Sequence, residues 1–251
     1  MRPVALLTDF GTRDPYVAAM KGVLASRTSA PLHDLTHDIA PFDVLGAAWF
    51  LGTIVSYWPA GTVFVCVVDP GVGTARRIVA LEQDGRFFLA PDNGLLTFVW
   101  NGGTAYSVEN ETLFLPGGST TFHGRDRFAP VAAALANGLA LDELGPATER
   151  IATLPYSAPS YGDVVRGTVV AVDRFGNVIT DVEASRIPFA PYALQVRDIT
   201  LDRVEQNYGD AAPGPFLIVG SSGCLEISIA NASAAERLHL RRLERVAIIA
   251  V

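Results

Sequence analysis

Residues Thr62–Val68 (TVFVCVV) form a nearly unbroken apolar run that ends abruptly in Asp69-Pro70-Gly71. A strand that is apolar on both faces belongs inside a parallel sheet covered by helices on each side. This run therefore restricts the chain to the α/β class more tightly than any other stretch. In open α/β sheets ligands bind at the carboxyl ends of the strands, so the acid closing this run stands where chemistry is placed. Thr8-Asp9-Phe10-Gly11 follows another strand, Val4–Thr8, in the same way. Pro91-Asp92-Asn93-Gly94 does so after Phe87–Ala90.

The rest of the first 150 residues alternates strands and helices. Asp14 reads as an N-cap with Pro15 at the first helical position, and Tyr16, Met20, Val23 and Leu24 give an apolar face to about Ser26. A strand is expected at Leu32–Leu35. Asp43 is placed to cap a helix over Val44–Tyr57. Asp84-Gly85 between Ile78–Glu82 and Phe87–Ala90 signals a hairpin. Pro130–Asn137 reads as a short helix stopped by Gly138. Beyond Pro155 the texture changes. Pro155, Pro159 and Gly162 punctuate a linker, and helical periodicity gives way to short strands at Val164–Val172, Val178–Asp181, Leu194–Val196, Phe216–Val219, Leu225–Ile229 and Val246–Val251. That pattern suits a small β-barrel or sandwich.

Charge and cysteine usage narrow the function classes. The net charge is −7, and Arg76-Arg77 and Arg241-Arg242 are isolated pairs, so no nucleic-acid surface is expected. Cys66 and Cys224 make neither a disulfide framework nor a zinc site, which fits a reducing cytoplasm. The first strand, Val4–Leu7, is too brief for a signal peptide or a membrane span. His33 and His37, beside Asp34 and Asp38, lack the H-E-x-x-H pattern, so no metal is expected. His239 reads as a surface residue.

Each candidate motif has a plain and a functional reading. Asp69 serves either as a turn residue paired with Arg76 or as a reacting group. Gly71-Val72-Gly73 lacks both the GK[ST] of a P-loop and the full G-x-G-x-x-G fingerprint, which weakens a phosphate reading. His123 lies in Phe122-His123-Gly124-Arg125-Asp126, a loop composed for close approach. Within it Asp126 is a candidate cap for the helix near Phe128, and Arg125 a partner for an acid. Asp9 is suited to accept two ribose hydroxyls. Asp173-Arg174-Phe175-Gly176-Asn177 is either a tight turn or a grip on an amine and a base. Ser221-Ser222-Gly223 offers groups suited to a carboxylate.

Taken together, these motifs resemble the S-adenosyl-L-methionine hydroxide adenosyltransferases, adenosine-forming SAM hydrolases related to the fluorinating and chlorinating adenosyl enzymes. The matching segments are Leu7–Gly11, Asp34–His37, Val68–Thr74, Ala90–Gly94, Phe122–Asp126, Asp173–Asn177 and Gly220–Gly223, in family order along nearly the whole chain.

The resemblance implies an N-terminal Rossmann-like α/β domain, residues 1–158, and a smaller C-terminal all-β barrel, residues 162–251. It also implies a homotrimer whose active sites lie between subunits. The family's catalytic triad falls on Asp69, Arg76 and His123. Substrate-binding positions fall on Asp9, Phe42, Phe122, Asp173, Phe175, Asn177, Ser221, Ser222, Glu226 and Ala230, with the segment from Glu226 running along the adenine. The expected reaction is attack of activated water on C5′ of SAM, giving adenosine and L-methionine with no cofactor. The alternatives are a halide-using adenosyltransferase and a non-catalytic SAM- or adenosine-binding protein. The fluorinating enzymes carry an aromatic in place of Asp69 and no histidine at the position of His123, so the full charged triad implies water as the nucleophile.

Overall fold

The computed structural model describes residues 1–251, and its packing divides them into two units, Met1–Pro155 and Tyr156–Val251. In the first unit the strands are β1 (Val4–Thr8), β2 (Leu32–Thr36), β3 (Val63–Val67), β4 (Ile78–Gln83), β5 (Arg86–Pro91), β6 (Ala105–Ser107) and β7 (Ala147–Thr148). Their order in the sheet is β2-β1-β3-β5-β4-β6-β7. The first four in that order run parallel, and β4, β6 and β7 are added by antiparallel pairing. The Asp84-Gly85 turn joins β4 and β5 as a hairpin, both residues taking positive φ (52° and 71°), as a tight two-residue turn requires.

The period-two alternation of β1 builds two cores. Val4 and Leu6 pack on one face with Met20 and Leu24 of helix α1 (Tyr16–Arg27) and with helix α3 (Ala129–Ala136). Ala5 and Leu7 pack on the other with Ala47 and Leu51 of helix α2 (Val44–Ile54). β3 is fully buried along its length, as the sequence predicts for a strand covered on both sides.

Asp43 caps α2, its Oδ1 accepting from Gly46 N at 2.9 Å. The α-helix stops at Ile54, and Val55–Tyr57 tightens into a 3₁₀ turn. The expectation for Asp14 is overturned: Pro15 itself holds the N-cap position, and no side chain caps α1. Asp126 does not cap α3 either, because its carboxylate is taken by Ser119 N and Arg125.

The second unit is antiparallel. Its strands are β8 (Val164–Val172), β9 (Val178–Glu183), β10 (Tyr192–Val196), β11 (Ile199–Leu201), β12 (Pro215–Val219), β13 (Cys224–Ile229) and β14 (Arg245–Ala250), with a 3₁₀ turn at Ala184–Arg186 and a short helix, α4 (Ala234–Arg237). The order is β11-β10-β14-β8-β9-β13-β12. β8 is long enough to serve two partners: Val164–Thr168 pair with β14, and Val169–Val172 with β9. A bridge between Val204 and Leu217 ties the chain after β11 to β12, so the sheet nearly closes around a core that includes Val165, Val169, Leu194, Leu225 and Ile248.

Candidate active site

The four parallel strands deliver Thr8-Asp9, His37, Val68-Asp69 and Pro91-Asp92 to one edge of the first sheet. After Asp69 the chain makes a tight loop. Val72 N donates to Asp69 O (3.2 Å), Thr74 N to Gly71 O (3.1 Å), and the Thr74 hydroxyl to the same carbonyl (2.7 Å). Gly73 sits at φ +80°, where a Cβ would come within 2.6 Å of Thr120 O, so only glycine lets this loop lie against the segment leading to His123.

The loop turns Arg76 back onto Asp69. Arg76 Nε lies 2.9 and 2.8 Å from the two carboxylate oxygens, and Nη2 also contacts Oδ2. Nη2 lies 2.9 Å from His123 Nδ1. The side chains of Asp69 and Arg76 are only 4% and 10% exposed, and His123 is buried. A guanidinium has donors and no acceptor, so His123 Nδ1 must present its lone pair, and the ring proton resides on Nε2. Burial first, then the cations Arg127 and Arg76, hold the imidazole below its ordinary value, outweighing Asp69 and Asp126. His123 is therefore neutral at pH 7.

A π-helical turn, Gly124–Phe128, follows His123 and leads into α3, with Ala129 N donating to Gly124 O. Such turns widen a helix locally and recur at functional positions. Phe122 packs edge-on against Phe10 and Tyr16 (centroids 6.1 and 5.1 Å). Asp9, Phe10, Tyr16, Asp69, Phe122 and His123 line a cavity of about 150 Å³, and Arg76 buttresses Asp69 and His123. Asp9 Oδ2 accepts from Phe42 N at 2.9 Å. Phe42 is 71% exposed and held at φ +66°, a strained conformation for a bulky residue.

The remaining candidates lie in the second unit, where a cavity of about 910 Å³ is lined by Asp173, Phe175, Asn177, Ser221, Glu226 and Ala230 among others. Asp173 closes its own turn, accepting from Phe175 N (2.9 Å), Asn177 N (2.8 Å) and Asn177 Nδ2 (2.9 Å). The plain turn reading and the cavity-lining position therefore hold for the same residues. Glu226 is buried and accepts from the Tyr208 hydroxyl at 3.0 Å; burial pushes its carboxyl up. Gly220 leaves it room, because a Cβ there would overlap Oε1. Ser222 lies on the exposed turn beside the cavity and does not line it.

Sequence reasoning missed Tyr208, Phe10 and Tyr16 as cavity residues. Tyr16 reads as helix face, and Tyr208 stands in irregular chain without periodicity. His33 and His37 part company: the His33 ring packs on Trp58, while His37 Nδ1 bonds the Thr8 hydroxyl at 2.8 Å.

Known proteins match most of the chain. Residues 4–145 match the SAM hydroxide adenosyltransferase N-terminal domain, and residues 167–247 match the C-terminal domain. An (R)-S-adenosyl-L-methionine hydrolase from Thermus thermophilus is 42% identical, covering 96% of this chain and 97% of the relative. A fluorinase from an Actinoplanes species is 28% identical over 90% of each chain. A crystal structure of an uncharacterized conserved protein from Thermotoga maritima superposes with a TM-score of 0.89 at 33% identity, covering 98% of this chain and 99% of that one.

Proposed function

The chain belongs to the SAM hydroxide adenosyltransferase family, and from that premise we propose that it hydrolyses S-adenosyl-L-methionine to adenosine and L-methionine. The observation that carries the reading is the buried Asp69–Arg76–His123 constellation on the wall of the first unit's cavity. Water oxygen attacks C5′, the C5′–S bond breaks, and its electron pair goes to sulfur. The leaving group is a neutral thioether, so no acid is needed on that side. The difficulty lies with water, whose pKa of about 15.7 makes hydroxide scarce.

The tautomer of His123 divides the labour. Nε2–H is a donor and holds the water oxygen. Asp69 is the anionic member and takes the water proton as the O–C5′ bond forms. Arg76 stays cationic, orients both partners and stabilises developing negative charge. Nucleophile and sulfonium neutralise each other along the path, which a low-dielectric cavity favours. Asp9 accepts the ribose hydroxyls, with Phe42 and Phe122 beside the sugar. Every one of these steps uses groups of the chain alone.

The second unit supplies the contacts to adenine and to the methionine end, from Asp173, Phe175, Asn177, Ser221, Glu226 and Ala230, which line its cavity, with Ser222 on the exposed turn at its side. The first cavity is small for the whole substrate and the second lacks the triad. The two halves are brought together in a homotrimer, one subunit offering its triad to the second unit of the next. The parallel strands with α1 and α2 on opposite faces support a Rossmann-like frame for the triad, and the nearly closed sheet supports a barrel. Two buried free cysteines suit a cytoplasmic enzyme, and no helix is long and apolar enough to cross a membrane.

The test is incubation of the purified protein with the R and S sulfonium epimers of SAM, with products separated by chromatography. Adenosine and methionine from the R epimer are expected. With chloride added, a 5′-chloro product would instead favour the halide-using alternative. Binding without product would favour a sensor.

The pH profile follows from His123. Protonated, it loses the Nδ1 lone pair that accepts from Arg76 and breaks the constellation. Because its pKa lies below the ordinary 6.5, kcat/KM is expected to be level at pH 7 and to fall through a midpoint below 6.5 as pH drops. A midpoint above 6.5 contradicts the neutral assignment.

A further inference from the structure

Among the strand-end motifs, Pro91-Asp92-Asn93-Gly94 has no part in the chemistry above. Asn93 Nδ2 donates to the carbonyl of Val68 at 2.9 Å, the residue immediately before Asp69. Its Oδ1 accepts from Leu95 N at 3.2 Å, so the amide is fixed from both ends. Asp92 grips the opposite side. Its N–H donates to the carbonyl of Arg77 at 3.0 Å, and its Oδ2 accepts from Arg77 Nε and Nη2 at 2.9 and 2.6 Å. Arg77 immediately follows Arg76. The other oxygen of Asp92 accepts from Ala152 N at 2.6 Å, and Arg77 Nη2 donates to Arg150 O at 2.9 Å, tying the grip to a third segment. Two adjacent residues at the end of β5 thus hold both ends of the loop that begins at Asp69 and ends at Arg76. Between those ends the loop contains two glycines and holds itself by turn hydrogen bonds and by the Asp69–Arg76 pair, while Asp92 and Asn93 anchor the residues that flank it to the end of β5.

We propose that Asp92 and Asn93 are positioning residues for the hydrolysis, setting the mutual geometry of Asp69 and Arg76 without touching substrate. The inference rests on the reading of those two side chains as the water-orienting pair. In-line displacement is sensitive to misplacement, and a shift of about 1 Å can cost on the order of 10²-fold in rate. The second unit's contacts are untouched, so the loss falls on kcat and not on KM.

Asn93→Asp in the full chain keeps the side-chain shape and sets an acceptor against the Val68 carbonyl. Asp92→Asn keeps the size and removes the charge facing Arg77. Asn110→Ala is the control: Asn110 makes the same kinds of bond, to Glu143 O (2.9 Å) and from Thr112 N (3.2 Å), and touches neither end of the loop. Asn93→Asp is expected to lower kcat by about 30-fold and Asp92→Asn by about tenfold, with KM within about twofold. Amide hydrogen exchange over residues 70–75 rises in both. Asn110→Ala is expected to lower Tm and leave kcat per folded molecule unchanged. Wild-type kcat in folded Asn93→Asp overturns the proposal; should that variant not fold, wild-type kcat in Asp92→Asn overturns it equally. If the wild-type protein releases no adenosine, it is the hydrolysis reading that fails. Hydrogen exchange then decides the inference alone, and unchanged exchange over residues 70–75 sinks it.

Discussion

Arg76→Met is expected to reduce turnover of S-adenosyl-L-methionine by about 10³-fold in a protein that stays folded. Methionine fills most of the same volume and carries no donors. One substitution removes three things. Asp69, only 4% exposed, becomes a buried carboxylate without its countercharge, a state costing several kcal/mol. His123 loses the Nδ1 partner that fixes its tautomer. The developing charge on the water loses its nearest cation. Arg76→Lys separates charge from shape. An ammonium is a point charge and cannot span both Asp69 oxygens and His123 Nδ1, so it is expected to stay on the order of 10²-fold below wild type. Steady-state kinetics with circular dichroism on the same samples check both values. A methionine variant within tenfold of wild type would remove Arg76 from the chemistry.

Mixing two inactive variants is expected to restore activity. Asp69→Ala removes the acid of the triad, and Asp173→Ala removes the turn acid of the second unit's cavity. Each homo-oligomer should be nearly inert. In a trimer with sites shared between neighbours, some sites of a mixed assembly pair the intact first unit of one chain with the intact second unit of another. Random assembly makes that about one site in four, so denaturing and refolding an equal mixture should recover roughly a quarter of wild-type activity. If each chain builds its site from its own two units, every site carries a defect and no activity returns. Light scattering on the wild-type protein gives the trimer mass independently.

How much of this was legible in the residues depended on element length and on contact distance. β1 and β3 were readable because they are apolar almost throughout, and the β4–β5 hairpin because Asp84-Gly85 permits few other turns. β6, β7 and β11 span two or three residues each, too short for any period to register. Asp14 misled because the cap-and-proline pattern shifts by one: Pro15 occupies the cap position, and its carbonyl accepts from Ala19 N. Asp69 and Arg76 are linked by one visible loop. His123 is 47 residues beyond Arg76, and no local pattern encodes their 2.9 Å contact. That contact depends on α3 packing against the sheet and on the π-helical turn beside His123. Tyr208 was invisible for the same reason: its meaning comes from Glu226, 18 residues away on β13.

Attack on C5′ by a water held among Asp69, Arg76 and His123 is read out by running the reaction in H₂¹⁸O and locating the label by mass spectrometry. One ¹⁸O atom is expected in the 5′-hydroxyl of adenosine and none in methionine. Label in the amino-acid product, or adenosine released without ¹⁸O, would rule out water attack at C5′.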